Sequence, residues 1–138
     1  MQNSLIELVK YKGEKASQTL QAAETLYREG FYNSSVNRSY YACFYIVTAL
    51  LQMYNLSSAK HSGVRGLFNV NFIKKGIFDK EIGRFYSEVF NKRQESDYED
   101  YKEFSKEETE EILGKAKLFV KELREFINKK LVKNNIKE

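Results

Sequence analysis

Proline is missing from all 138 residues, so the chain lacks the residue that breaks helices by fixing φ and removing an N–H. Cysteine occurs once, at Cys43, which excludes an internal disulfide framework. Set in an apolar helical stretch, Cys43 reads as a buried structural thiol. Histidine also occurs once, at His61. One His and one Cys without ligand spacing do not make a zinc site, and neither metal nor cofactor is expected. The longest apolar run, around residues 42–51, contains Thr48 and is far short of the ~20 residues a membrane helix needs. The first residues, Met1-Gln2-Asn3-Ser4, show no basic region and no apolar signal core, so a reducing cytoplasm is the expected compartment. A glycine-rich phosphate loop, carboxylates at catalytic spacing and a Ser/His/Asp arrangement are all absent in recognisable form.

What remains is an ordinary globular composition, 42% hydrophobic and 30% charged, in a chain long enough for one core and too short for two. The net charge of +4 is uneven. Residues 60–93 carry 8 Lys/Arg against 3 Asp/Glu. That segment is either a solvated face of ion pairs or a surface for phosphate groups.

Apolar residues recur at helical spacing almost throughout. The first helix is expected over 4–29, with Gly30 as its C-terminal stop. A second, the most buried, starts at Asn33 or Ser34 as N-cap and runs to Met53. A shorter, glycine-weakened element covers 59–75. A fourth helix, capped by Asp79, covers 80–97. Residues 97–104 form an acidic and aromatic connector. Ser105-Lys106-Glu107-Glu108 fits a capping box in front of the last helix. No stretch alternates with period two long enough to make a strand. The expected fold is therefore all-α: an up-and-down antiparallel four-helix bundle with an additional short helix. It spans residues 1–132, and 133–138 form a fraying tail. Surplus apolar surface on the second and fourth helices suggests a homodimer.

Four stretches then fall in order: Asn37-Arg38-Ser39-Tyr40-Tyr41-Ala42-Cys43-Phe44, Lys60-His61-Ser62-Gly63-Val64, Phe78-Asp79-Lys80-Glu81-Ile82-Gly83 and Arg93-Gln94-Glu95-Ser96-Asp97-Tyr98. Together they resemble the HEPN domain, in its branch of small stand-alone prokaryotic proteins. The resemblance spans about residues 27–127. It implies a helical bundle that dimerises and a cleft between the two protomers built around an R-x4-6-H motif. In many members that cleft is a metal-independent RNase, including toxins of toxin–antitoxin pairs; in others it only binds RNA or nucleotides. It also implies a minimal nucleotidyltransferase as partner.

Arg93 matches the motif arginine. A planar, permanently charged fork suits phosphate oxygens and the charge that develops at phosphorus; its structural alternative is an ion pair with Asp97 one turn on. Gln94 stands where the motif has its polar residue. The motif histidine is missing, because Tyr98, Glu99 and Asp100 occupy its places. Tyrosine, with an unperturbed pKa of ~10, is a weak base at neutral pH. Tyr98 therefore either substitutes in catalysis or stacks on a base, and Tyr98 and Tyr101 alternatively pack with their hydroxyls outward. His61 caps, pairs with a carboxylate or folds back over the cleft. Arg38 contacts a phosphate or pairs with the acidic connector. Tyr41, beside it, and Asp97 complete the candidate RNA- or nucleotide-binding set. Two functions follow from the resemblance: a toxin-like endoribonuclease with a degenerate motif, or a non-catalytic module that binds RNA, nucleotide or its partner protein.

Overall fold

Helices in a proline-free chain must be stopped by other means, and here the backbone does it. A computed structural model describes residues 3–98 and 102–137, without the side chains of Ser96, Tyr98 and 134–137. Helix α1 (Asn3–Arg28) ends in a turn where Gly30 N–H donates to Tyr27 O and Phe31 N–H to Leu26 O. Gly30 takes φ 85°, the left-handed conformation this stop requires. Helix α2 (Tyr32–Met53) ends the same way: Asn55 at φ 59° donates to Gln52 O, and Leu56 N–H donates to Leu51 O. Asparagine is the other residue that adopts this conformation readily.

Helix α3 (His61–Phe68) runs on into a π-helical segment, Asn69–Ile73, so the element expected at 59–75 is two kinds of helix in series. Helix α4 (Lys80–Tyr98) follows, with Asp79 Oδ1 accepting from Lys80 N–H at 2.9 Å. Helix α5 (Lys106–Lys137) opens with the expected capping box: Glu108 N–H donates to Ser105 Oγ at 3.1 Å, and Ser105 N–H donates to Glu108 Oε1 at 3.4 Å.

The N-terminus of α2 corrects the sequence reading. Phe31 is the N-cap, with no side-chain bond, and Asn33 lies inside the helix. Asn33 serves a tertiary purpose instead. Its Nδ2 donates to Lys102 O at 2.8 Å and its Oδ1 accepts from Phe104 N–H at 2.9 Å, fastening the α4–α5 connector to α2.

The fold is an all-α bundle of α1, α2, α4 and α5, with α3 and the π-helical segment as the irregular addition. Helix α2 touches each of the other four helices. Twelve of its 22 residues are buried, which makes it the central rod. Cys43 is among them, with no exposed surface, and burial raises its thiol pKa. At the lower end of the core Phe68, Phe72, Phe78, Tyr86 and Phe119 meet ring against ring. No helix among the described residues is long and apolar enough to cross a membrane.

Candidate functional site

On α2, Asn37, Tyr40, Tyr41 and Phe44 sit at i, i+3, i+4 and i+7, so one helical stripe carries all four. Helix α4 lies against that stripe and brings Arg93 to it. The guanidinium donates from Nη2 to Tyr41 Oη at 3.0 Å, and its Nε is 2.8 Å from Asp97 Oδ2. It also lies 5.6 Å from the Tyr40 ring centroid and 5.4 Å from that of Tyr41. Arg93 keeps 17% of its side chain exposed and Asp97 30%, enough shelter for the charges to matter and enough opening for a ligand to reach them.

Asn37 ties the next link. Its Nδ2 donates to Asp97 Oδ1 at 3.0 Å, and its Oδ1 accepts from Arg38 Nη2 at 3.2 Å. Arg38 also covers the Tyr41 ring, 5.0 Å from its centroid. Two arginines thus flank one tyrosine, each held by a polar neighbour. A cavity of about 380 Å³ opens beside them, lined by Leu26, Asn33, Ser34, Asn37, Arg38 and Asp97. Here the first turn of α2 contributes backbone N–H groups with no side-chain cap and no acidic residue, an arrangement that favours anions.

The only histidine comes to the same place from a third element. His61 opens α3 and folds back onto α2. Its ring stacks on Phe44 at 4.3 Å and 12°, lies 5.8 Å from Tyr40, and meets Tyr41 edge-on at 5.8 Å. Nδ1 is 2.7 Å from Tyr40 Oη. Burial, and then the positive charge of Arg93, lower the His61 pKa below its ordinary value. Burial raises that of Tyr40, so at neutral pH both groups are uncharged. Tyr86 stacks behind Tyr40 at 6.3 Å and 12°.

The structure therefore brings together Arg93, Asp97, Tyr41, Arg38 and His61. Arg93 forms the Asp97 ion pair that was its structural alternative, while its Nη2 edge faces Tyr41. Arg38 bonds Asn37. Of the three roles open to His61, folding back over the cleft is the one it takes. Gln94 is exposed, on the same helix as Arg93. The Tyr98 side chain and all of Tyr101 lie outside the described residues, and both expectations rest there. Sequence reasoning gave no role to Asn37, Tyr40 or Phe44 in the site, although their helical spacing relative to Arg38 and Tyr41 was a usable signal. Among the described residues, no three His, Cys, Asp or Glu side chains come together to hold a metal ion.

Comparison with known proteins places this all-α bundle in a family. The HEPN domain family model matches residues 9–126; the chain belongs to that family. It is 40% identical over 121 residues to a Methanocaldococcus jannaschii protein named "Putative toxin", covering 87% of this chain and 82% of the relative. A second M. jannaschii protein with that name is 35% identical over 111 residues, 80% of this chain and 82% of the relative. A Thermotoga maritima "UPF0332 protein" is 38% identical over 125 residues, 91% and 95% of the two chains.

Proposed function

We propose that this chain is a toxin-like HEPN protein that engages RNA at the Arg93 cleft and works with a minimal nucleotidyltransferase as its partner. The observation that carries the RNA reading is the pair of arginines on Tyr41. Asp97 and Asn37 fix the orientation of both guanidinium groups before any ligand arrives, which reduces the ordering cost of phosphate binding. The names of the M. jannaschii relatives support the toxin-like part. The nucleotidyltransferase and a homodimer, in which two such clefts come together, rest on the family resemblance.

A second reading has its own support. Tyr98, Glu99 and Asp100 replace the motif histidine, which favours a module that binds RNA or a nucleotide without cutting it. Anisotropy titration of a fluorescent single-stranded RNA in EDTA, with the same samples run on a gel, tests both. Arg93→Ala should weaken binding by about 10- to 100-fold, the ~1.5–3 kcal/mol of a charge-assisted hydrogen bond. Equal binding by wild type and Arg93→Ala would sink the assignment of the cleft. Shortened RNA on the gel selects the nuclease, and intact RNA the binding module.

A further inference from the structure

We propose that His61, arriving from α3, is the proton acceptor of this cleft, taking the 2′-hydroxyl proton of an RNA strand whose phosphate Arg93 holds. The inference rests on the RNA reading above and adds chemistry to it.

Position comes first. His61 and Arg93 share Tyr41: the imidazole meets its ring edge-on at 5.8 Å, and the guanidinium lies 5.4 Å from the same centroid. The two groups therefore lie against the same tyrosine ring, although 32 residues separate them in the chain. Orientation is fixed as well. Phe44 and Tyr40 hold the ring face, and Tyr40 Oη engages Nδ1 at 2.7 Å. Nε2 has no hydrogen-bond partner among the described residues.

A hydroxyl both donates and accepts. Tyr40 can therefore receive Nδ1–H, which leaves the lone pair on Nε2 for an incoming proton. When Nε2 is protonated, the same bond persists and stabilises the imidazolium. Tyr40 keeps its own proton, because burial raises its pKa, so its role is positioning. The charged group of another element that bears on His61, among the described residues, is Arg93 of α4. From α2 the titratable neighbours are Tyr40 and Tyr41, and on α3 itself Arg65 stands one turn on. These surroundings keep the imidazole neutral, the form a base needs.

The step balances without a metal or an oxidant. Nε2 takes the 2′-hydroxyl proton, the 2′-oxygen forms a bond to phosphorus, and the bond from phosphorus to the 5′-oxygen breaks. The departing 5′-oxygen takes a proton from water, and His61 returns its proton to the solvent. The products are a 2′,3′-cyclic phosphate and a 5′-hydroxyl. Arg93 stabilises the extra charge on the phosphorane.

The test measures RNA binding, cleavage rate from pH 4.5 to 8, and product termini, all in EDTA, for wild type, His61→Gln, Tyr40→Phe and Arg93→Ala. Wild type should leave cyclic phosphate ends, with a rate that rises with pH through a midpoint below the ordinary histidine value and then levels off. His61→Gln should lower kcat by about 100-fold or more, keep RNA affinity within about twofold, and lose the rising limb. Tyr40→Phe should lower kcat with KM unchanged and move the midpoint. In a fourth variant, His61→Gly, imidazole in the buffer should restore part of the lost activity. Circular dichroism melts show that each variant is folded. Cleavage by His61→Gln at the wild-type rate and profile, with Arg93→Ala inactive, would overturn the role of His61 and leave the RNA site standing. RNA bound but not cut by wild type also overturns it and selects the binding module. Neither binding nor cleavage removes the inference and the RNA reading together.

Discussion

Tyr40, Tyr41 and Arg93 show how much one residue's setting decides here. Tyr40 has no exposed surface and is held as a neutral hydroxyl, whereas its neighbour Tyr41 is half-buried and accepts from an arginine. The same side chain thus serves once as a fixed anchor and once as the floor of a charged cleft. His61 carries a consequence for stability. Its folded pKa lies below 6.5, the ordinary value, which approximates the unfolded chain. Above that value both states are neutral and its contribution is complete. As pH falls below it, the unfolded state binds the proton more readily, and stability is lost. Thermal melts of wild type and His61→Gln between pH 7.5 and 5 should show the wild type losing its advantage, or gaining a deficit, as pH drops; parallel curves would contradict the assignment. Arg93 was singled out in the sequence by its place in the Arg93–Tyr98 stretch of the family resemblance, although no histidine completes an R-x4-6-H pattern there. The partnership of His61 with Tyr40 was not legible, because it joins the first residue of one helix to the middle of another. No spacing rule covers a contact of that range.

Element ends account for most of what sequence could read and for its main error. Gly30, Asp79 and the Ser105–Glu108 box mark ends that local chemistry decides, and each acts at its expected place. Asn33 looks like a cap by composition and is instead a bracket for the connector, since only the fold brings Lys102 and Phe104 beside it. The π-helical segment had no signature of its own: the glycines that weaken the periodicity there, Gly63 and Gly66, lie in α3. The left-handed stop at Gly30 gives a clean comparison. An added Cβ there would meet nothing within 4 Å, so the cost of Gly30→Ala is conformational alone and should be about 1–2 kcal/mol. Gly114 lies inside α5, also with open space around it. Gly114→Ala should stabilise by about 0.5–1 kcal/mol. Urea denaturation of the two variants should therefore shift the midpoint in opposite directions.

For the molecule as a whole, patterning and composition were enough to give the all-α bundle, because α2 is apolar on nearly all sides and must be enclosed. The electrostatic surplus was harder to place. The excess of Lys and Arg in residues 60–93 falls mainly on α4, with Arg65 on α3 and Lys60, Lys74 and Lys75 just outside α3 and the π-helical segment, and part of it is taken up locally: Arg84 pairs with Glu81 and Lys92 with Glu95. Arg38, outside that segment, joins Arg93 at the cleft. If RNA binds there, affinity should fall with salt, with a log–log slope of about −0.7 per phosphate contacted on single strands. Arg38→Ala and Arg93→Ala should each flatten the slope by about one such unit. An unchanged slope in both variants would place the RNA elsewhere on the surface.

Asn33 and Asn37 stand one turn apart on α2, about 6 Å along the axis. One grips the chain at Lys102 and Phe104, the other at Asp97. Helix α2 therefore works as a gauge. The chain is tied to α2 on both sides of the stretch between these clamps, at Asp97 and again at Lys102 and Phe104. Added length there costs little in chain entropy, about 0.6 kcal/mol per doubling. Length changes between the clamps should thus leave the anchoring of Asp97, Lys102 and Phe104 on α2 as it is.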